Sequence, residues 1–101
     1  MSRFVEIART DEIARGKAKM VEVEGRKIAL FNLEGSWAID DTCPHRGGPL
    51  SEGEVEREVV TCPWHGSRFN IKTGEVLISP AIEGVKSYEV QVEGSIIMIE
   101  V

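Results

Sequence analysis

Three observations predict an all-β fold. Short alternating or β-branched apolar runs recur every eight to twelve residues, turn signals stand between them, and helical periodicity is nearly absent. The length of 101 residues suits one domain. In chain order, the first strand is expected over residues 4–8. Residues 10–15 read as a single helical turn, opened by Thr10 as a cap and closed by Gly16. A hairpin follows, with strands over 19–23 and 27–31 joined through Glu24-Gly25, and another strand over 37–40. Further strands are expected over 58–61, 68–71 and 75–79. A last hairpin pairs 88–92 with 96–99 through Glu93-Gly94. Val21–Gly25 and Val90–Gly94 share the wording Val-x-Val-Glu-Gly, but nothing else recurs at that offset, so no repeat is inferred.

The middle of the chain has a different texture. Between Asp41 and Gly74 fall both cysteines, both histidines, three of the four prolines and five of the ten glycines. The expected architecture is therefore an antiparallel β-sandwich or partial barrel built from residues 1–41 and 75–101, a meander whose strands pair with their neighbours in sequence. A loop-rich subdomain, residues 42–74, is inserted into it and presents functional groups on a rigid frame.

Composition removes several function classes. The net charge is −5 and the twelve Lys and Arg are dispersed, with no run longer than Arg26-Lys27, so the basic face that nucleic acid requires is missing. No stretch approaches the ~20 apolar residues of a membrane span. The opening segment, interrupted by Glu6, Arg9, Asp11 and Glu12, lacks the apolar core of a secretory signal. A cytoplasmic location is the expectation. In a reducing compartment, two cysteines point to metal binding more than to a disulfide.

The two pieces that carry chemistry read Cys43-Pro44-His45-Arg46-Gly47-Gly48-Pro49-Leu50 and Cys62-Pro63-Trp64-His65-Gly66-Ser67-Arg68-Phe69. Each places a His two or three positions after a Cys, and sixteen residues separate His45 from Cys62. Every Cys and His of the protein lies in this pattern. Thiolate with imidazole excludes hard cations such as magnesium and calcium, which take oxygen ligands, and leaves zinc and iron. Zinc fingers usually put two Cys on one knuckle and two His on the other, whereas each loop here offers one of each. A two-iron, two-sulfide cluster suits that distribution better, with Cys43 and Cys62 on one iron and His45 and His65 on the other. Gly47, Gly48 and Gly66 would let backbone N–H groups approach cluster sulfur, and Pro44 and Pro63 stiffen the loops after each Cys.

With those residues, Cys-x-His, sixteen residues, Cys-x-x-His, flanked by Gly-Gly-Pro-Leu and His-Gly-Ser, the sequence resembles the Rieske family, specifically the soluble Rieske-type ferredoxins of bacterial ring-hydroxylating oxygenases. The resemblance covers essentially the whole chain. It implies a [2Fe–2S] cluster on Cys43, His45, Cys62 and His65. It also implies a one-electron carrier, not an enzyme in itself, which takes electrons from a flavin-dependent ferredoxin reductase and gives them to a terminal oxygenase. The same kind of domain serves as the small subunit of assimilatory nitrite reductase, which is the alternative role; a zinc-binding structural module is the remaining one. No acid, base or nucleophile set stands apart from the ligands. A monomer that meets its partners through brief, small contacts is expected.

Two departures from the respiratory branch of that family matter. Gly48 and Trp64 stand where that branch has a second Cys in each loop, so no disulfide can clamp the loops. Phe69 stands where it has a Tyr that donates to a ligand sulfur, while Ser67 matches its other hydroxyl donor. Hydrogen bonds to sulfur favour the electron-rich reduced cluster, which predicts a potential toward the lower end of the Rieske range of about −150 to +300 mV. Of the remaining features, Trp64 is a candidate shield for the cluster and Trp37 a core residue. Ser79-Pro80-Ala81-Ile82 resembles the family's cluster-flanking proline loop. Glu52, Glu54, Glu56 and Glu58 alternate as if on one strand face; a solvated edge is their expected role, and a docking strip the alternative.

Overall fold

The structure is a computed structural model that describes residues 3–44, 47–64, 66–78 and 83–101. Among them are eleven strands: β1 (Phe4–Arg9), β2 (Ala18–Val23), β3 (Arg26–Asn32), β4 (Ser36–Asp40), β5 (Glu54–Glu56), β6 (Val59–Thr61), β7 (Arg68–Asn70), β8 (Val76–Ile78), β9 (Ser87–Tyr88), β10 (Val90–Glu93) and β11 (Ile96–Glu100). They form three antiparallel sheets, ordered β1-β11-β10, β2-β3-β4-β9 and β5-β6-β7-β8. The all-β expectation holds, and the described residues contain no α-helix.

The run Ile28-Ala29-Leu30-Phe31 explains how the sheets stack. Successive side chains of a strand point to opposite faces, so four consecutive apolar residues demand cover on both sides. All four are fully buried. Ile28 and Leu30 pack with Ala8, Ala38, Ile97 and Ile99, which belong to β1, β4 and β11. Ala29 and Phe31 pack instead with Ile39, Cys43, Leu50, Val60, Cys62, Phe69 and Ile71, the side of the cysteine loops. The sheet containing β3 is therefore the central layer. Burying Ile28, Leu30 and Phe31 contributes about 1.5–3 kcal/mol each, whereas exposed ion pairs such as Arg15–Glu34 add little. The doubly covered strand is what holds the layers together.

The structure departs from the sequence expectations in five places. The helical turn shrinks to a 3-10 turn over Thr10–Glu12, and Arg9, not Thr10, caps it, with the Arg9 N–H donating to Glu12 Oε1 at 2.8 Å. Ile13 leaves the turn in an extended conformation because it is buried in the core. The strand expected over 88–92 is split at Glu89: Tyr88 pairs with Ala38 in the central sheet, while Val90 pairs with Ile99 in the first. The final hairpin turns one residue later than expected, since Glu93 already pairs with Ile96. The strands do not all pair as a meander, because β1 joins β11 and β4 joins β9 across long sequence distances. Finally, the four alternating glutamates do not share a strand face. Glu52 ends a 3-10 turn, Glu54 and Glu56 lie on β5, and Glu58 follows a turn at Arg57, whose φ is 56°, and sits 3.5 Å from Lys72 Nζ.

Candidate metal centre

Cys43 and Cys62 are brought together by two loops that close in the same way. In the first, the Cys43 N–H donates to the Gly48 carbonyl at 2.9 Å, and the Gly47 N–H donates back to the Cys43 carbonyl at 2.8 Å. In the second, the Cys62 N–H donates to the Ser67 carbonyl at 2.7 Å, and the Gly66 N–H donates to the Cys62 carbonyl at 3.1 Å. Each Cys is thus bonded to the residues four and five places on. Gly47 and Gly66 occupy matching left-handed conformations, φ 79° and 78°, which a residue with a Cβ resists. The two loops share a backbone frame although their histidines stand at different offsets.

The loops also touch. A Cβ added to Gly48 would lie 2.7 Å from Cys62 Sγ and 3.1 Å from Trp64 Cγ, so glycine is needed there for the second loop to lie against the first. Trp64 lies against the same face of Gly48 and remains 57% exposed. Both thiols are buried, at 1% and 3% exposure, within the same apolar cluster as Leu50, Phe69 and Ile71, and no disulfide joins them. Ser67 is fully buried beside them, and Phe69, equally buried, brings no hydroxyl. Trp37 packs against this core with Lys72 Nζ 4.9 Å above its ring, as expected of a structural residue.

Of the four expected ligands, His45 and His65 lie outside the described residues, as does the proline loop 79–82. The described donor set nevertheless fits a thiolate-bound cluster: both cysteines are buried in one apolar cluster of side chains, on loops closed by left-handed turns at Gly47 and Gly66. One residue that the motif does not reveal is Asp41, 3% exposed at the root of the first loop, whose Oδ1 accepts the Ser51 N–H at 2.7 Å. The signal for it is two aspartates in succession at the end of a strand, where alternation sends one side chain to each face. Asp40 turns the other way and accepts the Tyr88 hydroxyl at 2.5 Å.

Comparison with known proteins agrees with this arrangement. The ferredoxin component of a naphthalene 1,2-dioxygenase system from Pseudomonas aeruginosa is 34% identical over 99 residues, covering 97% of this chain and 95% of that protein. The ferredoxin of carbazole 1,9a-dioxygenase from Nocardioides aromaticivorans IC177 superposes with a TM-score of 0.89 at 27% identity, covering 95% of each chain. A structure described as a complex of reduced oxygenase and oxidized ferredoxin in carbazole 1,9a-dioxygenase gives a TM-score of 0.89 at 28% identity, covering 95% of this chain and 91% of that one. The family model described as the Rieske [2Fe-2S] domain matches residues 3–89, which decides between the zinc and iron that the donor types alone left open. With paired cysteine loops and a match that takes in both of them, the chain belongs to the Rieske [2Fe-2S] domain family.

Proposed function

We propose that this protein is a one-electron carrier whose [2Fe–2S] cluster is held by Cys43 and Cys62 on one iron and by His45 and His65 on the other. The observation that carries the reading is the pair of identically closed loops, with Gly48 of one set against Cys62 Sγ of the other. When bound, the cluster supplies one reversible electron. The protein's own part is to hold two thiolates within an apolar cluster of side chains, to close each loop around its cysteine through a glycine turn, and to set the potential through Ser67 and the apolar ring of Phe69. In this reading residues 42–74 form the cluster-carrying unit on a frame of residues 1–41 and 75–101, with β8 of the latter segment pairing with β7 as the edge strand of the unit's sheet.

The relatives name the system it serves. By analogy with them, the terminal oxygenase of an aromatic-ring dioxygenase system receives the electron, as the ferredoxin–oxygenase complex supports, while a flavin-dependent reductase as its source follows from the family resemblance alone. No described helix is long and apolar enough to cross a membrane. Freshly purified, anaerobically handled protein is expected to contain about two irons and two acid-labile sulfides per chain and to show the reduced-state paramagnetic resonance signal of a mixed Cys/His cluster. His45→Ala and His65→Ala are each expected to abolish that signal. Colourless protein containing zinc, or a chromophore indifferent to either substitution, would overturn the reading.

A further inference from the structure

The two cluster loops close alike at their tips but are rooted differently. The second grows out of a regular hairpin, in which β6 and β7 pair at Val59–Asn70, Val60–Phe69 and Thr61–Arg68 directly below Cys62. The first has no such ladder. Below Cys43 there is one isolated bridge, Thr42 with Pro49, and Pro49 has no N–H to donate to it. Under that bridge Asp41 grips the returning chain twice: its carbonyl accepts the Leu50 N–H at 2.6 Å, and its carboxylate accepts the Ser51 N–H at 2.7 Å. The Asp41 N–H is itself fixed to the Lys27 carbonyl on β3 at 3.0 Å, which ties the grip to the central sheet. A carboxylate only 3% exposed would be costly without such donors, so its position is set by the bonds it makes.

We propose that Asp41 is the positioning residue of the first cluster loop, its side chain replacing the strand ladder that the second loop possesses. It does not ligate; it fixes where Leu50 and Ser51 return, and hence where the Cys43–Gly48 closure and the loop tip stand. This rests on the reading of Cys43 and Cys62 as cluster ligands. The role belongs to the acceptor oxygen, which an asparagine retains, and a purely electrostatic role would belong to the charge, which asparagine lacks.

The experiment compares Asp41→Ala, Asp41→Asn and, as a control, Asn70→Ala in holoprotein. Asn70 also accepts two backbone N–H groups through its side chain, those of Lys72 and Thr73 at 2.8 and 3.1 Å, but at the end of β7 away from the cysteines. Iron loss to an excess of chelator, followed by loss of visible absorbance, is expected to be about tenfold or more faster in Asp41→Ala, the scale on which outer-shell partners act. Its reduced-state resonance signal should broaden. Asp41→Asn is expected to restore both to near wild type, and Asn70→Ala to leave both unchanged. Wild-type rates in Asp41→Ala, or an Asp41→Asn variant as labile as alanine, would overturn the proposal. Wild-type protein without iron and sulfide would instead overturn the ligand reading and this inference with it. If Asp41→Ala does not fold, hydrogen exchange on the wild-type holoprotein decides: the Ser51 amide is expected to be protected as strongly as the Leu50 amide, and rapid exchange at Ser51 overturns the proposal.

Discussion

At the scale of single residues, the expected tuning of the cluster potential turns on Phe69. Its ring is fully buried in the same cluster of side chains as Cys43 and Cys62, and it cannot donate a hydrogen bond. Phe69→Tyr would introduce a donor at the edge of the sulfur pocket and favour the reduced cluster. A hydrogen bond of about 1–1.5 kcal/mol corresponds to a rise of about 45–65 mV for a one-electron couple, at about 59 mV per tenfold. Potentiometric titration of the two proteins checks this, and an unchanged potential would remove Phe69 as a determinant. The Cys/His pattern, its spacing and the family they indicate were fully legible in the sequence. That Gly48 must lack a Cβ because Cys62 Sγ lies behind it was not, since those residues are fourteen positions apart.

At the scale of elements, the break between β9 and β10 is where the sequence misleads most. Residues 88–92 alternate as one strand should, yet Tyr88 is held in the central sheet by its hydroxyl bond to Asp40, and the chain passes to the next sheet at Glu89. Burial, and after it the hydrogen bond to Asp40, raises the Tyr88 pKa above its ordinary value, against an opposing pull from Arg26. The folded protein therefore keeps that proton at a pH where the unfolded chain, whose tyrosine titrates near ~10, has lost it. The associated stability is intact below about pH 10 and is lost as pH climbs through the folded value. Tyr88→Phe is expected to unfold at lower denaturant than wild type near neutrality, by about 1 kcal/mol, and to lose less between pH 9.5 and 11 (~ range set by the tyrosine value). Equal pH slopes for the two proteins would refute the assignment.

At the scale of the whole molecule, the third sheet, from whose β6–β7 hairpin Cys62 springs, is joined to the rest by a close crossing of backbone. Gly74 adopts φ 80°, and a Cβ there would stand 2.0 Å from the Val85 carbonyl oxygen, while the Val85 N–H donates to the Gly74 carbonyl at 2.8 Å. A Cβ on Gly84 would in turn meet the Gly74 oxygen at 2.5 Å. Gly74→Ala combines a left-handed penalty of about 1–2 kcal/mol with displacement of a packed backbone at about 1–3 kcal/mol. Urea unfolding followed by both far-ultraviolet dichroism and chromophore loss is expected to show a loss of about 2–5 kcal/mol. The two probes are expected to move together, because the shared core around Phe31 couples the layers. Chromophore loss that shifts while the dichroism does not would show that the third sheet unfolds on its own.

What the sequence by itself determined is everything carried by near neighbours: the strand periods, the Glu24-Gly25 turn with φ of 50° and 81°, and the Cys/His pattern with its family membership. Only the tertiary structure decided which sheet each strand joins, that the run Ile28–Phe31 is covered on both faces, and that Asp41 roots one loop while a hairpin roots the other. The physical reason is range. Alternation and turn chemistry are fixed by steric limits within a few residues, whereas sheet membership and close backbone approach follow from how well distant apolar surfaces fill space against one another.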